Sequence, residues 1–364
     1  LAELDKRREF ARRAGGERWR IVLLLLFGLA VAAAAAADEA PLPANVGGRV
    51  VAEPDGAMSF GWPGVYFEGR FRGTGVRVRF EAPAEHMRLL VDGEERTRFS
   101  RPGRVDLVLD GLPVGEHVVR LEKLTESQTG GGRFLGFFAT DGGESLPPPR
   151  RSRQIEFIGD SFSVGYGNLS TRRECTPREV HDLTDTQQAF PALVARHFDA
   201  DYRVNAYSGF GIVRNYSGRE RGLSLPVIYP RLRPDDAVHL ERPDPAWRPR
   251  LIVITLGTND FSTPLQPGEP WRDQQALRAD YRSTYAAFVR RLAERHPQAR
   301  FLLMGADPFF GEVDQVAAAL HPALPGRVAT LSFGGMELTG CDWHPSLADN
   351  RRLADRIVAA VGGF

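Results

Sequence analysis

Residues 153–164 read RQIEFIGDSFSV, an apolar run of strand-forming residues that ends in Gly-Asp-Ser. Downstream of it, further apolar runs alternate with helical patterns. Strands are predicted at 155–158, 203–206, 251–256 and 301–304, and helices at 187–198, 274–294 and 347–361. Such alternation indicates a parallel sheet covered by helices. We therefore predict an α/β domain over residues 152–364.

The segment before this domain follows a different pattern. Residues 40–148 hold short strand-forming runs, separated by turns in which glycine follows aspartate or proline. Many short strands at close spacing are typical of a β-sandwich or jelly roll. Three consecutive prolines at 147–149 then mark a linker, so the domain boundary is predicted near 147–153. The length of 364 residues also favours two domains.

Residues 1–38 are predicted to be a signal peptide. A stretch rich in arginine and lysine precedes an apolar run over 21–37 that ends in alanines, which suit a signal peptidase. A retained membrane anchor is the alternative, because the run nears the minimum length for spanning a bilayer. The favoured interpretation is cleavage, no stable membrane anchor afterwards, and a secreted or periplasmic protein.

Charge and cysteine content argue against a nucleic-acid-binding protein and against a zinc site. Lys and Arg total 47 against 46 Asp and Glu, a net charge of +1, so no excess of basic charge is available for nucleic acid. The two cysteines, Cys175 and Cys341, are too few for a typical zinc site. In an oxidising compartment they can form a disulfide, with two separate buried thiols as the alternative.

Four short motifs carry the candidate chemistry. They are Gly-Asp-Ser at 159–161, Ser-Gly at 208–209, Gly-Thr-Asn-Asp at 257–260 and Trp-His-Pro at 343–345. Ser161 is a nucleophile if a base activates it, and His344 is the candidate base. The backbone N–H groups of Ser161 and Gly209 and the Asn259 amide are candidate donors to an oxyanion. Singly, each motif is commoner as a turn or helix cap, but their combination in this order favours catalysis.

The four motifs resemble the sequence blocks of the SGNH (GDSL) hydrolase superfamily and span nearly all of residues 155–346. The resemblance implies a flavodoxin-like three-layer α/β/α domain, with Ser161 as nucleophile and His344 as general base. It also implies that Ser161, Gly209 and Asn259 form the oxyanion hole. No metal or organic cofactor is needed for this chemistry.

With the β domain in front, the mature chain also resembles carbohydrate esterase family 2. Members of that family join a jelly roll to an SGNH domain and remove acetyl groups from xylan and related polysaccharides. The resemblance therefore implies an exported serine esterase of the acetyl xylan esterase type, acting on acetylated polysaccharide or oligosaccharide.

One position departs from the superfamily pattern. The acid that usually stands three residues before the catalytic His is replaced here by Cys341. Some family 2 enzymes work as a Ser-His dyad in which a backbone carbonyl orients the imidazole, and we expect this for His344. Asp342 is the alternative orienting acid, or a substrate contact. Trp343 is either a platform for a sugar ring or a core residue.

Two rival functions stay open at this point. The first is an SGNH lipase, lysophospholipase or thioesterase, although no long apolar lid lies between the motifs, which favours short acyl groups. The second is a polysaccharide-binding protein with an inactive site. All four motifs are intact, which argues against this alternative.

Overall fold

A computed structural model describes residues 40–128 and 130–363. The predicted signal peptide at 1–38 lies outside these residues. Within the described part of the chain, every helix is too short or too polar to cross a membrane.

The N-terminal part is a sandwich of two antiparallel sheets. Its strands are β1 Asn45–Gly47, β2 Val50–Ala52, β3 Met58–Phe60, β4 Tyr66–Gly73, β5 Val76–Ala82, β6 His86–Val91, β7 Glu94–Ser100, β8 Gly103–Leu109, β9 Gly115–Lys123, β10 Gly132–Ala139 and β11 Glu144–Leu146. One sheet has the order β1-β4-β9-β6-β7, with β11 also paired to β4, and the other has the order β2-β3-β10-β5-β8.

Alternating side chains form the sandwich core. In β5, Val76, Val78 and Phe80 are buried while the residues between them are partly exposed. This period of two gives each sheet one apolar face. Where the two faces meet, the rings of Phe67 and Phe134 stack with centroids 4.1 Å apart.

The C-terminal part is a parallel sheet with helices. The strands are β12 Arg153–Gly159, β13 Ala200–Ala206, β14 Leu251–Thr255, β15 Arg300–Gly305 and β16 Val328–Ser332. The helices are α1 Ser161–Val164, α2 Pro177–Asp182, α3 Phe190–His197, α4 Leu225–Ile228, α5 Thr258–Phe261, α6 Gln274–Arg295, α7 Phe310–Leu320 and α8 Leu347–Val361. Single 3₁₀ turns lie at Thr186–Gln188, Tyr216–Gly218 and Cys341–Trp343.

The strand order of this sheet is β13-β12-β14-β15-β16. It is the flavodoxin-like order 2-1-3-4-5, in which ligands bind beyond the carboxyl ends of the strands. Strand β14 is buried along its whole length, as expected for a strand in the middle of a parallel sheet. Helix α3 packs on α8, and α6 packs on α7. The predicted fold class, an α/β domain preceded by a β-sandwich, is confirmed.

Ion pairs join the two domains, and those of Arg49 are buried. Arg49 of the sandwich places Nη2 3.2 Å from Oε1 of Glu156 in β12 and 2.8 Å from Oε2 of Glu241. In the linker, Arg151 places Nη1 2.7 Å from Oε2 of Glu68 on β4. Removing one member of the buried Arg49–Glu156 pair would leave an uncompensated charge, which disfavours arrangements of the domains that separate the two side chains.

Candidate active site

The proposed nucleophile stands at the turn between β12 and α1. Asp160 caps the helix, because its Oδ1 accepts a hydrogen bond from the N–H of Phe162 at 3.0 Å. Gly159 allows the tight turn, since a Cβ at that position would lie 2.0 Å from Oγ of Ser163. Ser161 is therefore the first residue of a helix, held at the carboxyl end of the sheet and 7% exposed.

The proposed base contacts this serine directly. His344 Nε2 lies 2.8 Å from Ser161 Oγ, while its Nδ1 lies 2.9 Å from the carbonyl oxygen of Cys341 and 3.0 Å from that of Asp342. Nδ1–H donates to these carbonyls, which leaves the Nε2 lone pair free to accept the serine proton. Burial lowers the pKa of His344, partly offset by the two carbonyl hydrogen bonds and the Asp342 charge, so the neutral base is favoured.

The side chains of Asp342 and Trp343 point to other partners than His344. The Asp342 carboxylate accepts a hydrogen bond from the Tyr166 hydroxyl at 3.2 Å. Trp343 lies over the guanidinium of Arg173, with 3.7 Å between the Arg173 Cζ and the ring centroid. The Trp343 ring is 61% exposed, so it is not a core residue.

The turn that carries His344, residues 341–344, is bonded to the segment that follows Ser161. Cys341 is bonded to Cys175, with 5.5 Å between their Cα atoms. The N–H of Asp342 donates to the carbonyl of Arg173 at 2.7 Å, and that of Cys341 donates to the carbonyl of Gly167 at 3.3 Å. These bonds hold the turn even though residues 342 and 343 both have positive φ.

Two of the predicted oxyanion donors are free to act. The backbone N–H groups of Ser161 and Gly209 donate to no other group in the described part of the chain. Asn259 Nδ2 lies 2.9 Å from the carbonyl oxygen of Phe210 and 3.2 Å from Asp160 Oδ2. The Asn259 amide must therefore exchange or share one of these bonds to reach an oxyanion.

Two buried carboxylates support the donors. Burial raises the pKa of Asp160 to about 7 and that of Asp260 to about 6. Asp260 accepts hydrogen bonds at 2.9 to 3.0 Å from three successive backbone N–H groups, those of residues 212–214. It thereby fixes the loop that follows Gly209.

The proposed nucleophile, base and oxyanion donors line one cleft, a cavity of about 570 Å³. Its aromatic lining consists of Tyr166, Tyr207, Phe210, Tyr216 and Trp343. Tyr166 stands five residues after Ser161, and Tyr207 directly precedes the Ser-Gly motif. Their places beside the motifs could have predicted that both line the site. Nothing in the sequence pattern pointed to Tyr216 or to Gln128, which reaches the cleft from the sandwich. Among the described residues, no group of three His, Cys, Asp or Glu side chains is arranged to hold a metal ion.

Family models match both domains. Residues 46–149 match the carbohydrate esterase 2 N-terminal family, and residues 157–360 match the GDSL-like lipase/acylhydrolase family. An acetylxylan esterase/glucomannan deacetylase of Cellvibrio japonicus (strain Ueda107) is 43% identical over 334 residues, covering 89% of this chain and 92% of that protein.

Solved structures agree with the sequence comparison. One carbohydrate esterase structure has a TM-score of 0.84 and 42% identity, covering 88% of this chain and 98% of that chain. A family two carbohydrate esterase from Clostridium thermocellum, solved in complex with cellohexaose, has a TM-score of 0.75 and 27% identity, with coverage of 88% and 98%. The chain therefore belongs to carbohydrate esterase family 2 and is a serine esterase of the GDSL-like hydrolase type.

Proposed function

We propose that this protein removes O-acetyl groups from xylan, glucomannan or a related polysaccharide through an acyl-enzyme formed on Ser161. The observation that carries the proposal is the 2.8 Å contact between Ser161 Oγ and His344 Nε2 at the floor of the cleft. The similarity to an acetylxylan esterase/glucomannan deacetylase supports the substrate class.

In the first half of the reaction, His344 Nε2 takes the hydroxyl proton as Ser161 Oγ attacks the acetyl carbonyl carbon. The negative charge on the carbonyl oxygen is received by the N–H groups of Ser161 and Gly209. The Asn259 amide joins them by giving up one of its present bonds. When the tetrahedral intermediate collapses, the imidazolium returns the proton to the sugar oxygen, and the deacetylated sugar leaves.

In the second half, water attacks the acetyl-enzyme. His344 takes a proton from the water and then returns it to Ser161 Oγ, which releases acetate. The two carbonyls at Nδ1 keep the ring and its tautomer in place through both steps, although they stabilise the imidazolium less than a carboxylate would.

The mouth of the cleft suits a sugar. Trp343 offers an exposed ring face while Arg173 supports the other face, and aromatic platforms bind the apolar faces of pyranose rings. Asp342 and Tyr166, joined by a hydrogen bond at 3.2 Å, offer a carboxylate and a hydroxyl to sugar hydroxyl groups.

Export belongs to the same proposal. The disulfide between Cys175 and Cys341 fits an oxidising compartment, where such bonds persist. The basic and then apolar pattern of residues 1–37 fits a signal peptide. Expression of the gene in a bacterium, followed by N-terminal sequencing of the exported enzyme, tests this; an enzyme that stays in the cytoplasm with thiols reduced would contradict it.

The decisive experiment measures acetate released from acetylated xylan, acetylated glucomannan and an aryl acetate, with Ser161→Ala as the matched control. We expect release from all three by the natural enzyme and none by the variant. Activity on the aryl acetate alone would contradict the polysaccharide substrate. Turnover by Ser161→Ala near the natural rate would contradict the acyl-enzyme.

A further inference from the structure

The Ser208-Gly209 peptide lies in a turn whose geometry decides where the Gly209 N–H points. The N–H of Phe210 donates to the carbonyl of Tyr207 at 3.2 Å, which closes a four-residue turn with Ser208 and Gly209 in its centre. Gly209 has φ 85°, the value found at the third position of type II turns. Type I turns, which differ chiefly by reversal of the central peptide, would direct this N–H to the opposite side.

Two side chains of the sandwich bond to Ser208, one to the peptide before it and one to the Ser208-Gly209 peptide. The Ser208 N–H donates to Oε1 of Glu126 at 2.7 Å, and Nε2 of Gln128 donates to the Ser208 carbonyl oxygen at 3.1 Å. In a third bond, the Tyr207 hydroxyl donates to the carbonyl oxygen of Gln128 at 3.3 Å. Residues 126–128 follow β9 and belong to the sandwich, so all three bonds cross the boundary between the domains.

The covalent geometry of the peptide links these bonds to the oxyanion hole. The Ser208 carbonyl and the Gly209 N–H belong to one planar trans unit and point in opposite directions. A donor fixed on the carbonyl oxygen therefore fixes the N–H on the far side, away from the sandwich. Hydrogen bonding at the carbonyl also polarises the unit, which strengthens the N–H as a donor.

We propose that Gln128 is a positioning residue that locks the Ser208-Gly209 peptide with its N–H directed at the oxyanion, and that Glu126 is a second one, which holds the Tyr207-Ser208 peptide before it. One segment of the sandwich, residues 126–128, thus positions a donor of the oxyanion hole. The inference rests on the proposed role of Gly209 as an oxyanion donor, and it adds a cross-domain requirement for that role.

The hydrogen bonds of Glu126 and Gln128 with Ser208 form a clamp. The test compares variants that remove a bond of this clamp with one variant that removes a hydrogen bond elsewhere at the domain boundary. Gln128→Met keeps the length of the side chain and removes the donor to the Ser208 carbonyl, and Glu126→Met removes the acceptor of the Ser208 N–H. Asn45→Ala is the matched control, because Asn45 Nδ2 donates across the same boundary to Asp201 Oδ1 at 3.0 Å, at the opposite end of β13.

With an aryl acetate as substrate, we expect Gln128→Met to lower kcat about tenfold, less than the 10²- to 10³-fold typical of losing an oxyanion donor outright. KM should stay within about twofold, because the lost interaction forms with the transition state. The inhibition constant of methylboronic acid, whose serine adduct mimics the tetrahedral intermediate, should rise by the same factor as kcat falls. Glu126→Met should lower kcat by less than Gln128→Met, because Glu126 holds the preceding peptide, and Asn45→Ala should leave all three quantities near their natural values.

Two results would overturn the clamp: Gln128→Met with natural kcat and boronate affinity, or an equal loss in Asn45→Ala, which would trace the effect to loosened domains. Ser161→Ala assayed alongside separates this failure from failure of the proposed function. If Ser161→Ala is inactive while Gln128→Met is unaffected, the clamp alone is wrong. If Ser161→Ala remains active, the oxyanion assignment on which the clamp rests is wrong as well.

Discussion

Replacing Asp342 by asparagine tests which group orients the imidazole of His344. The Nδ1 of His344 lies within 3.0 Å of the carbonyl oxygens of Cys341 and Asp342, whereas the Asp342 carboxylate contacts the Tyr166 hydroxyl. The asparagine would keep both carbonyls and still accept a hydrogen bond from Tyr166. It also tolerates the left-handed backbone at this position, where φ is 49°. The substitution therefore removes one negative charge and little else.

The expected loss follows from how the charge acts. The Asp342 carboxylate is exposed and has no hydrogen bond to the imidazole. It therefore stabilises the imidazolium only through solvent-screened attraction, by up to about 1 kcal/mol. We therefore expect kcat to fall by no more than about tenfold. In a Ser-His-Asp triad, by comparison, the same substitution lowers kcat about 10⁴-fold because the imidazole loses its tautomer.

The assay is kcat and KM on a small aryl acetate, which avoids any contact between Asp342 and sugar, with thermal unfolding as the control. Burial lowers the pKa of His344, and the Asp342 charge opposes that shift. Removing the charge should lower the pKa further, so the neutral base persists to lower pH and the acid limb of kcat/KM moves to lower pH. Asp342→Ala should cost more activity than Asp342→Asn, because alanine disfavours the left-handed turn that carries both carbonyls.

A loss near 10⁴-fold in Asp342→Asn, with Tm and KM unchanged, would refute the dyad. It would show that the carboxylate, and not the main chain, orients the base.

Three further outcomes are expected. Ser161→Ala and His344→Ala should each abolish turnover, and the double variant should be no worse than either, because the two residues act as one unit; additive losses in the double variant would contradict this. Acetyl esters should be hydrolysed faster than octanoyl esters, since no aliphatic side chain lines the described cleft, and the reverse preference would favour a lipase. Cys341→Ser should lower the free energy of unfolding by up to about 5 kcal/mol, because the Cys175–Cys341 bond closes a loop of 166 residues; two free thiols in the unfolded, unreduced enzyme would contradict the bond.

The α/β fold was predictable because its decisive features are local. Each of the first three motifs follows an apolar strand, and parallel strands end at a common edge. The departure at Cys341 could also be recognised, because the resemblance to the superfamily implies an acid three residues before His344, and Cys341 has no carboxylate. What the sequence pattern could not supply was the geometry of the turn, in which residues 342 and 343 both have positive φ.

The elements that the sequence analysis missed are those whose stability depends on distant partners. Strand β7 reads EERTRFS, which carries too much charge to suggest a strand, yet it forms at the edge of a sheet by pairing with β6. Strand β16 is only partly buried and forms by pairing with β15. Helix α3 begins at Phe190, later than predicted, because a 3₁₀ turn at Thr186–Gln188 precedes it.

The contacts of Glu126 and Gln128 could not be predicted for a stronger reason. Locally they are polar residues after a strand, which is a common composition for any loop. They reach Ser208 only with the sandwich in this orientation, in which distant residues such as Arg49 and Glu156 also pair across the boundary. Without the sandwich, Glu156 would lose its ion pair with Arg49, and Ser208 would lose its bonds to Glu126 and Gln128. On this proposal the two domains act as one catalytic unit, although the sequence divides into two patterns at the linker.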